Sequence, residues 1–171
     1  MKNLLITLFA AFSFTVSAKN FVDAPLGVPV EGIVIEEGRK CKDAKIQLYL
    51  GNEEVQQVTS ENGKFNFVLD FNNYYTIVVS KKGMVSKLIS VDTHVKSTKI
   101  RVPVYECGID LISKSRFLGM NTSILEFPMG IVSYNRGKGE FAHNKDYTSH
   151  MREAYQALLK ESFAKNEANN R

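Results

Sequence analysis

The chain has 171 residues, 44% of them hydrophobic, and a formal net charge of +4, enough material for one full core and a small appended unit but not for two large domains. The basic residues, among them Lys40, Lys42, Lys81, Lys82, Lys114, Arg116, Arg136 and Lys138, are spread over several loops and interleaved with acids, which disfavours a nucleic-acid partner. The two cysteines and three histidines lack metal-ligand spacing, so no cofactor is expected.

Lys2, an uncharged run from Leu4 to Val16 and the small residues Ser17-Ala18 have the order of a secretory signal peptide, with cleavage expected after Ala18. The apolar run is short for a membrane span, and no later segment supplies one. This reading makes residues 1–18 a signal peptide and the mature chain an exported one, periplasmic, extracellular or associated with the outer membrane. Residues 19–29, with Pro25 and Pro29 around Gly27, read as an irregular lead-in.

Short strands follow. Val30–Glu36 is the first, Gly38–Asp43 is a polar loop, and Ala44–Leu50 sets Ile46, Leu48 and Leu50 on one face. Gly51-Asn52 turns the chain into Val55–Ser60, polar enough for a sheet edge. Asn62-Gly63 suits a tight turn between antiparallel strands, because both positions tolerate positive φ. Beyond it Phe65, Phe67 and Leu69 alternate with polar residues. Tyr74–Ser80 is apolar on both faces at its centre and is expected near the middle of the fold. Met84–Val91 and Thr98–Val104 complete seven strands, the count and spacing of an antiparallel sandwich over residues 30–104.

The segments Val30-Glu31-Gly32-Ile33-Val34, Asp43-Ala44-Lys45-Ile46-Gln47-Leu48, Thr59 to Phe67, and Tyr75 to Met84 together resemble the carboxypeptidase regulatory-like domain. What carries the likeness is an initial glycine strand, a small residue before the second strand, a threonine–glycine–phenylalanine turn and a tyrosine strand ending in Lys-Gly. These are folding features. The resemblance implies a transthyretin-like, immunoglobulin-like sandwich. It also implies a stand-alone accessory role, since neither a zinc peptidase domain nor a series of barrel strands accompanies it. Met84 departs from the aromatic residue common after that last glycine.

Residues 105–171 read as a C-terminal extension. Gly108 and Gly119 interrupt short apolar clusters around one further candidate strand near Ile109–Ile112. Ile131–Tyr134 and Glu140–His143 form a hairpin, and Asn144 or Asp146 caps one α-helix. Tyr147, Met151, Tyr155 and Leu158 recur at helical spacing, an apolar face for the chain's own domain or for a protein partner.

Chemistry is sparse in this pattern. His143, Asp146 and His150 are close in sequence, but a capping region with solvent-facing imidazoles explains them. No serine sits in a Gly-x-Ser-x-Gly elbow, and adjacent pairs such as Glu36-Glu37 point to opposite faces of a strand. Cys41 and Cys107 are a disulfide candidate in an oxidising compartment, though sequence does not set their proximity. Tyr49, Tyr74 and Tyr134 are candidate glycan contacts, with cross-strand packing as the competing role. The reading that emerges is a non-enzymatic envelope adaptor with a protein partner; a module binding cell-wall carbohydrate is the alternative.

Overall fold

The computed structural model describes residues 27–98 and 100–169. The expected signal peptide and most of the lead-in lie outside them. In chain order the strands are β1 (Gly27–Glu36), β2 (Arg39–Lys40), β3 (Lys45–Leu50), β4 (Glu53–Thr59), β5 (Lys64–Asp70), β6 (Tyr74–Ser80), β7 (Lys87–Asp92) and β8 (Tyr105–Leu111). Two single 3-10 turns, Lys114–Phe117 and Ser123–Glu126, lead to β9 (Gly130–Asn135), β10 (Glu140–His143) and the helix α1 (Lys145–Asn169).

The strands form a sandwich of two sheets, mainly β with one C-terminal helix, as expected. The larger sheet runs β10-β9-β7-β6-β3-β4, and the smaller is built around β1. β5 pairs with Gly27–Ile33 of β1 and β8 with Val30–Glu36; the overlap puts them on opposite edges. β2 pairs with Ile35 and Glu36, on the β5 side. Alternation drives the packing: Val28, Val30 and Val34 of β1 meet Ile46, Leu48, Ile77 and Val79 of the larger sheet in one core. β6 is central and β4 is an edge, as their compositions predict.

Three features differ from expectation. Thr98 and residues 100–104 form no strand; the further strand expected near Ile109–Ile112 is present and runs over Tyr105–Leu111. Pro103 has no amide to give a ladder, whereas Tyr105, Ile109 and Leu111 alternate into the core. Gly108 does not break this strand, because it faces outward, where its missing side chain costs no packing. Second, the sandwich is not wholly antiparallel: β8 runs parallel to β1 and β9 parallel to β7. The hairpin β9–β10 thus widens the larger sheet, so strands after residue 104 enter both layers.

Third, the Asn62-Gly63 turn forms as read, with reciprocal bonds between the backbones of Glu61 and Lys64 at 3.1 and 2.9 Å. The strands it joins do not pair, however, because the chain crosses between sheets here. Ser60 is buried at the crossing; its hydroxyl donates to the Cys41 carbonyl at 2.8 Å and accepts from the Ala44 amide at 3.1 Å. The Val34 amide then holds the Gly63 carbonyl at 2.6 Å.

Of the two expectations for the helix, α1 follows the first: its apolar face packs on the chain's own body. Asn144 caps it, its side-chain oxygen accepting from the Tyr147 amide at 3.0 Å. Met151 and Leu158 are buried, and Leu158 joins Val85 and Phe117 in a second small core.

Candidate binding surface

The helix face named from sequence is committed to the chain's own body. The Tyr147 hydroxyl donates to the Pro128 carbonyl at 2.8 Å, and the Tyr155 ring lies 3.6 Å beneath the Lys87 ammonium. Tyr147, Met151, Tyr155 and Leu158 therefore hold α1 down instead of offering a docking stripe. No helix among the described residues is long and apolar enough to cross a membrane.

The cysteines do not meet. Cys41 is buried and free; Cys107 is half-buried and free. The Cys41 amide bonds the Val34 carbonyl on the β5 side of β1, while Cys107 pairs with Gly32 on the other side. Two strand spacings, about 9–10 Å, exceed the roughly 7 Å Cα separation a disulfide tolerates. Burial pushes the Cys107 thiol up to about 11. Burial and the Glu36 carboxylate also raise Cys41, which touches Glu36 and Lys81.

The candidate aromatics are scattered. The Tyr49 hydroxyl bonds Gln47 and Glu54, and Tyr134 packs on Phe141 with ring centres 5.4 Å apart. Tyr74 is 65% exposed and lies against His94 at 4.7 Å. Tyr105, by contrast, is buried, with its hydroxyl 2.7 Å from His143 Nε2. His143 is thus tied to β8, not to Asp146 or His150. Desolvation, with Arg152 nearby, lowers its pKa. No cluster of three or more metal-ligating side chains occurs among the described residues.

Sequence reasoning did not single out Lys87. It is 5% exposed at an inward position of β7, in phase with Ile89 and Val91, and that phase was its available signal. Burial depresses its pKa to about 8, against the opposing pull of Asp110.

One surface stays open. A concavity of about 1340 Å³ runs along the smaller sheet beside the crossing between sheets. Glu31 and Ile33 of β1, Glu106 and Gly108 of β8, and Lys64 and Asn66 of β5 line it. Register places Lys64, Ile33 and Gly108 in one outward row, and Gly108, with nothing within 4 Å of a Cβ position, leaves the dip. Val58 and Thr59 at the end of β4 form its other rim.

Among the described residues, β4 and β5 each pair along one edge only. Their free edges differ. β4 carries Glu53 and Glu54 and shifts register so that Val55 is extra, the charge and bulge that discourage strand addition. β5 pairs without a shift over seven residues, has no proline, and exposes Val68 to 56%.

No family model matches the chain, and no curated protein matches it. Solved structures with a similar course include 3-chlorocatechol 1,2-dioxygenase of Rhodococcus opacus, 10% identical over 49% of this chain and 58% of that one, with a TM-score of 0.33. Catechol 1,2-dioxygenase of an Acinetobacter species is 12% identical over 56% of this chain and 55% of its own, with a TM-score of 0.34. A chain of a type II cohesin–X-dockerin complex from Acetivibrio cellulolyticus is 13% identical over 57% and 67%, with a TM-score of 0.36. The match spans less than two thirds of either dioxygenase chain.

Proposed function

We propose that this chain is an exported, non-enzymatic adaptor of the bacterial envelope, a sandwich of the carboxypeptidase regulatory-like kind that binds an extended segment of a protein partner along β5. The observation that carries the reading is the unguarded edge of β5 beside a polar concavity. An added strand obtains main-chain hydrogen bonds from such an edge, while Glu31 and Lys64 beside it supply charges of both signs for side-chain selection. The contrast with β4 strengthens the case, since that neighbouring edge has a bulge that β5 lacks.

A photo-cross-linking residue at position 68, compared with one at position 55, tests this in a fractionated envelope. A discrete protein captured from position 68 and not from position 55 is the expected result. Capture from position 55 alone would overturn the placement, and no protein capture from either would overturn the adaptor reading. The second reading, recognition of cell-wall glycan, rests on Tyr74, whose exposed ring is available for stacking. Pelleting with purified cell wall that is lost in Tyr74→Ala would favour it.

A further inference from the structure

Glu36, Cys41 and Lys81 meet at the seam between the two sheets. Glu36 ends β1, Cys41 follows β2, and Lys81 follows β6 of the opposite layer. The Lys81 ammonium lies 2.5 Å from Glu36 Oε2 and 3.6 Å from Cys41 Sγ. The thiol is itself 3.5 Å from that carboxylate oxygen. Cys41 is 1% exposed, but the Lys81 and Glu36 side chains retain 29% and 24% exposure, so one wall of the cluster faces solvent.

At rest the three groups hold one another quiet. Burial and Glu36 keep the thiol protonated, and the hydrogen bond from Lys81 keeps Glu36 ionised and the amine charged. Thiol–disulfide exchange is disfavoured, since it needs a thiolate and an approach for a second sulfur, and Cys107 lies across β1. A hydroperoxide also needs the thiolate, but it is small enough to enter where a second protein sulfur is not, and the Lys81 ammonium beside the sulfur favours the minor thiolate form that attacks it. The first product of that oxidation, a sulfenic acid, would form with a lysine nitrogen already at contact distance.

We propose that Cys41 and Lys81 form a modification site in which oxidation of the thiol by a hydroperoxide is trapped as a sulfur–nitrogen bond to the lysine. In the first step the sulfur attacks the peroxide, its bond to oxygen forms, the O–O bond breaks, and the thiol proton passes to the departing oxygen, which leaves as an alcohol or water. In the second, Lys81 gives a proton to the Glu36 carboxylate and its free amine attacks the sulfur. The S–O bond breaks, and the departing hydroxide takes one of the two remaining nitrogen protons as water, leaving an N–H on the sulfenamide. The thiol, the amine and one hydroperoxide thus yield a sulfenamide, one alcohol or water, and one further water. Sulfur is oxidised by two electrons and the peroxide is reduced by two. The cross-link joins the two sheets and keeps Cys41 from the irreversible sulfinic and sulfonic acids; one external thiol attacking the sulfur frees Lys81 and leaves a mixed disulfide, and a second thiol reduces that disulfide to restore Cys41.

The test is a hydrogen peroxide titration of the full chain carrying Cys107→Ser, read by intact-mass and peptide mass spectrometry. The expected product is lighter by about 2 Da, the two hydrogens lost on sulfenamide formation. It should yield a peptide joining Cys41 to Lys81 and revert with dithiothreitol. Lys81→Arg keeps a cation against Glu36 and, with its fold checked by circular dichroism, should give no joined peptide and progress to sulfinic acid at Cys41. Accumulation of sulfinic or sulfonic acid with Lys81 intact in the parent chain would overturn the proposal. So would a Cys41 thiol that stays unreactive in the folded protein under peroxide that oxidises it after unfolding.

Discussion

The Lys87 ammonium sits 3.6 Å above the centre of the Tyr155 ring, with Met129 Sδ 3.9 Å away and, among the described residues, no carboxylate within 4 Å. Desolvation lowers the Lys87 pKa from 10.5 to about 8, while the nearby phenol of Tyr155 is pushed up to about 12. In the unfolded chain the lysine keeps its proton up to its ordinary pKa. Between pH 8 and 10.5 the unfolded state therefore binds more protons, and stability contributed by this site rises with pH through that window. Below about pH 8 the cost of burying the charge is fully present, on the order of 3 kcal/mol. Lys87→Met should stabilise the protein at pH 7 by about 1–2 kcal/mol after loss of the cation–π contact. It should also flatten the rise in stability between pH 8 and 10, measured by urea unfolding at several pH values.

Ser60 makes a second sharp prediction. Its hydroxyl bonds both Cys41 and Ala44 backbones at the point where the chain changes sheets, and it is 4% exposed. Ser60→Ala leaves a carbonyl and an amide without their buried partner, a loss of about 1–3 kcal/mol. The urea midpoint should fall with an unchanged slope.

The same crossing shows where sequence stops being informative. Alternation in Ile46-Gln47-Leu48 and in Phe65-Asn66-Phe67 marks inward and outward faces, because a strand buried on one side must alternate. Asn62-Gly63 announces a tight turn, since its φ values of 51° and 77° suit these residues. Nothing local says whether the flanking strands pair with each other, and here they diverge because Ser60 and Val34 bind the backbone elsewhere. Gly108 misled for a related reason: a glycine looks the same in a loop and on the open face of a parallel strand. Met151 and Leu158 were legible as an apolar helix stripe, but what the stripe covers is set by Val85 and Phe117, far away in the chain. The separation of Cys41 from Cys107 depends on which edge of β1 each neighbours, a property of topology alone. The concavity draws on β1, β4, β5 and β8 together, so its presence is not written in any one of them.

Two glycines should respond to alanine to different degrees. A Cβ at Gly32 would enter the space of the buried Phe65 ring, which the core confines. Gly32→Ala should therefore cost about 1–3 kcal/mol and disturb the concavity. A Cβ at Gly130 would come within 2.5 Å of His143 Nδ1, but that side chain is at the surface and can swing away. Gly130→Ala should lose the His143–Tyr105 hydrogen bond, seen as a changed His143 ring signal by NMR, at under about 1 kcal/mol in stability.

The helix supplies a test that separates packing from partner binding. Met151 is 3% exposed and Leu158 7%, and truncating either removes apolar contacts inside the molecule. Met151→Ala and Leu158→Ala should each lower stability by about 2–4 kcal/mol in denaturant. Where the variants remain folded, capture of a partner through position 68 should be unchanged, since β5 belongs to the other sheet and shares no strand pairing with the elements under α1. Loss of capture with stability intact would mean instead that these side chains reach a partner, and that α1 is released from the sandwich when it binds.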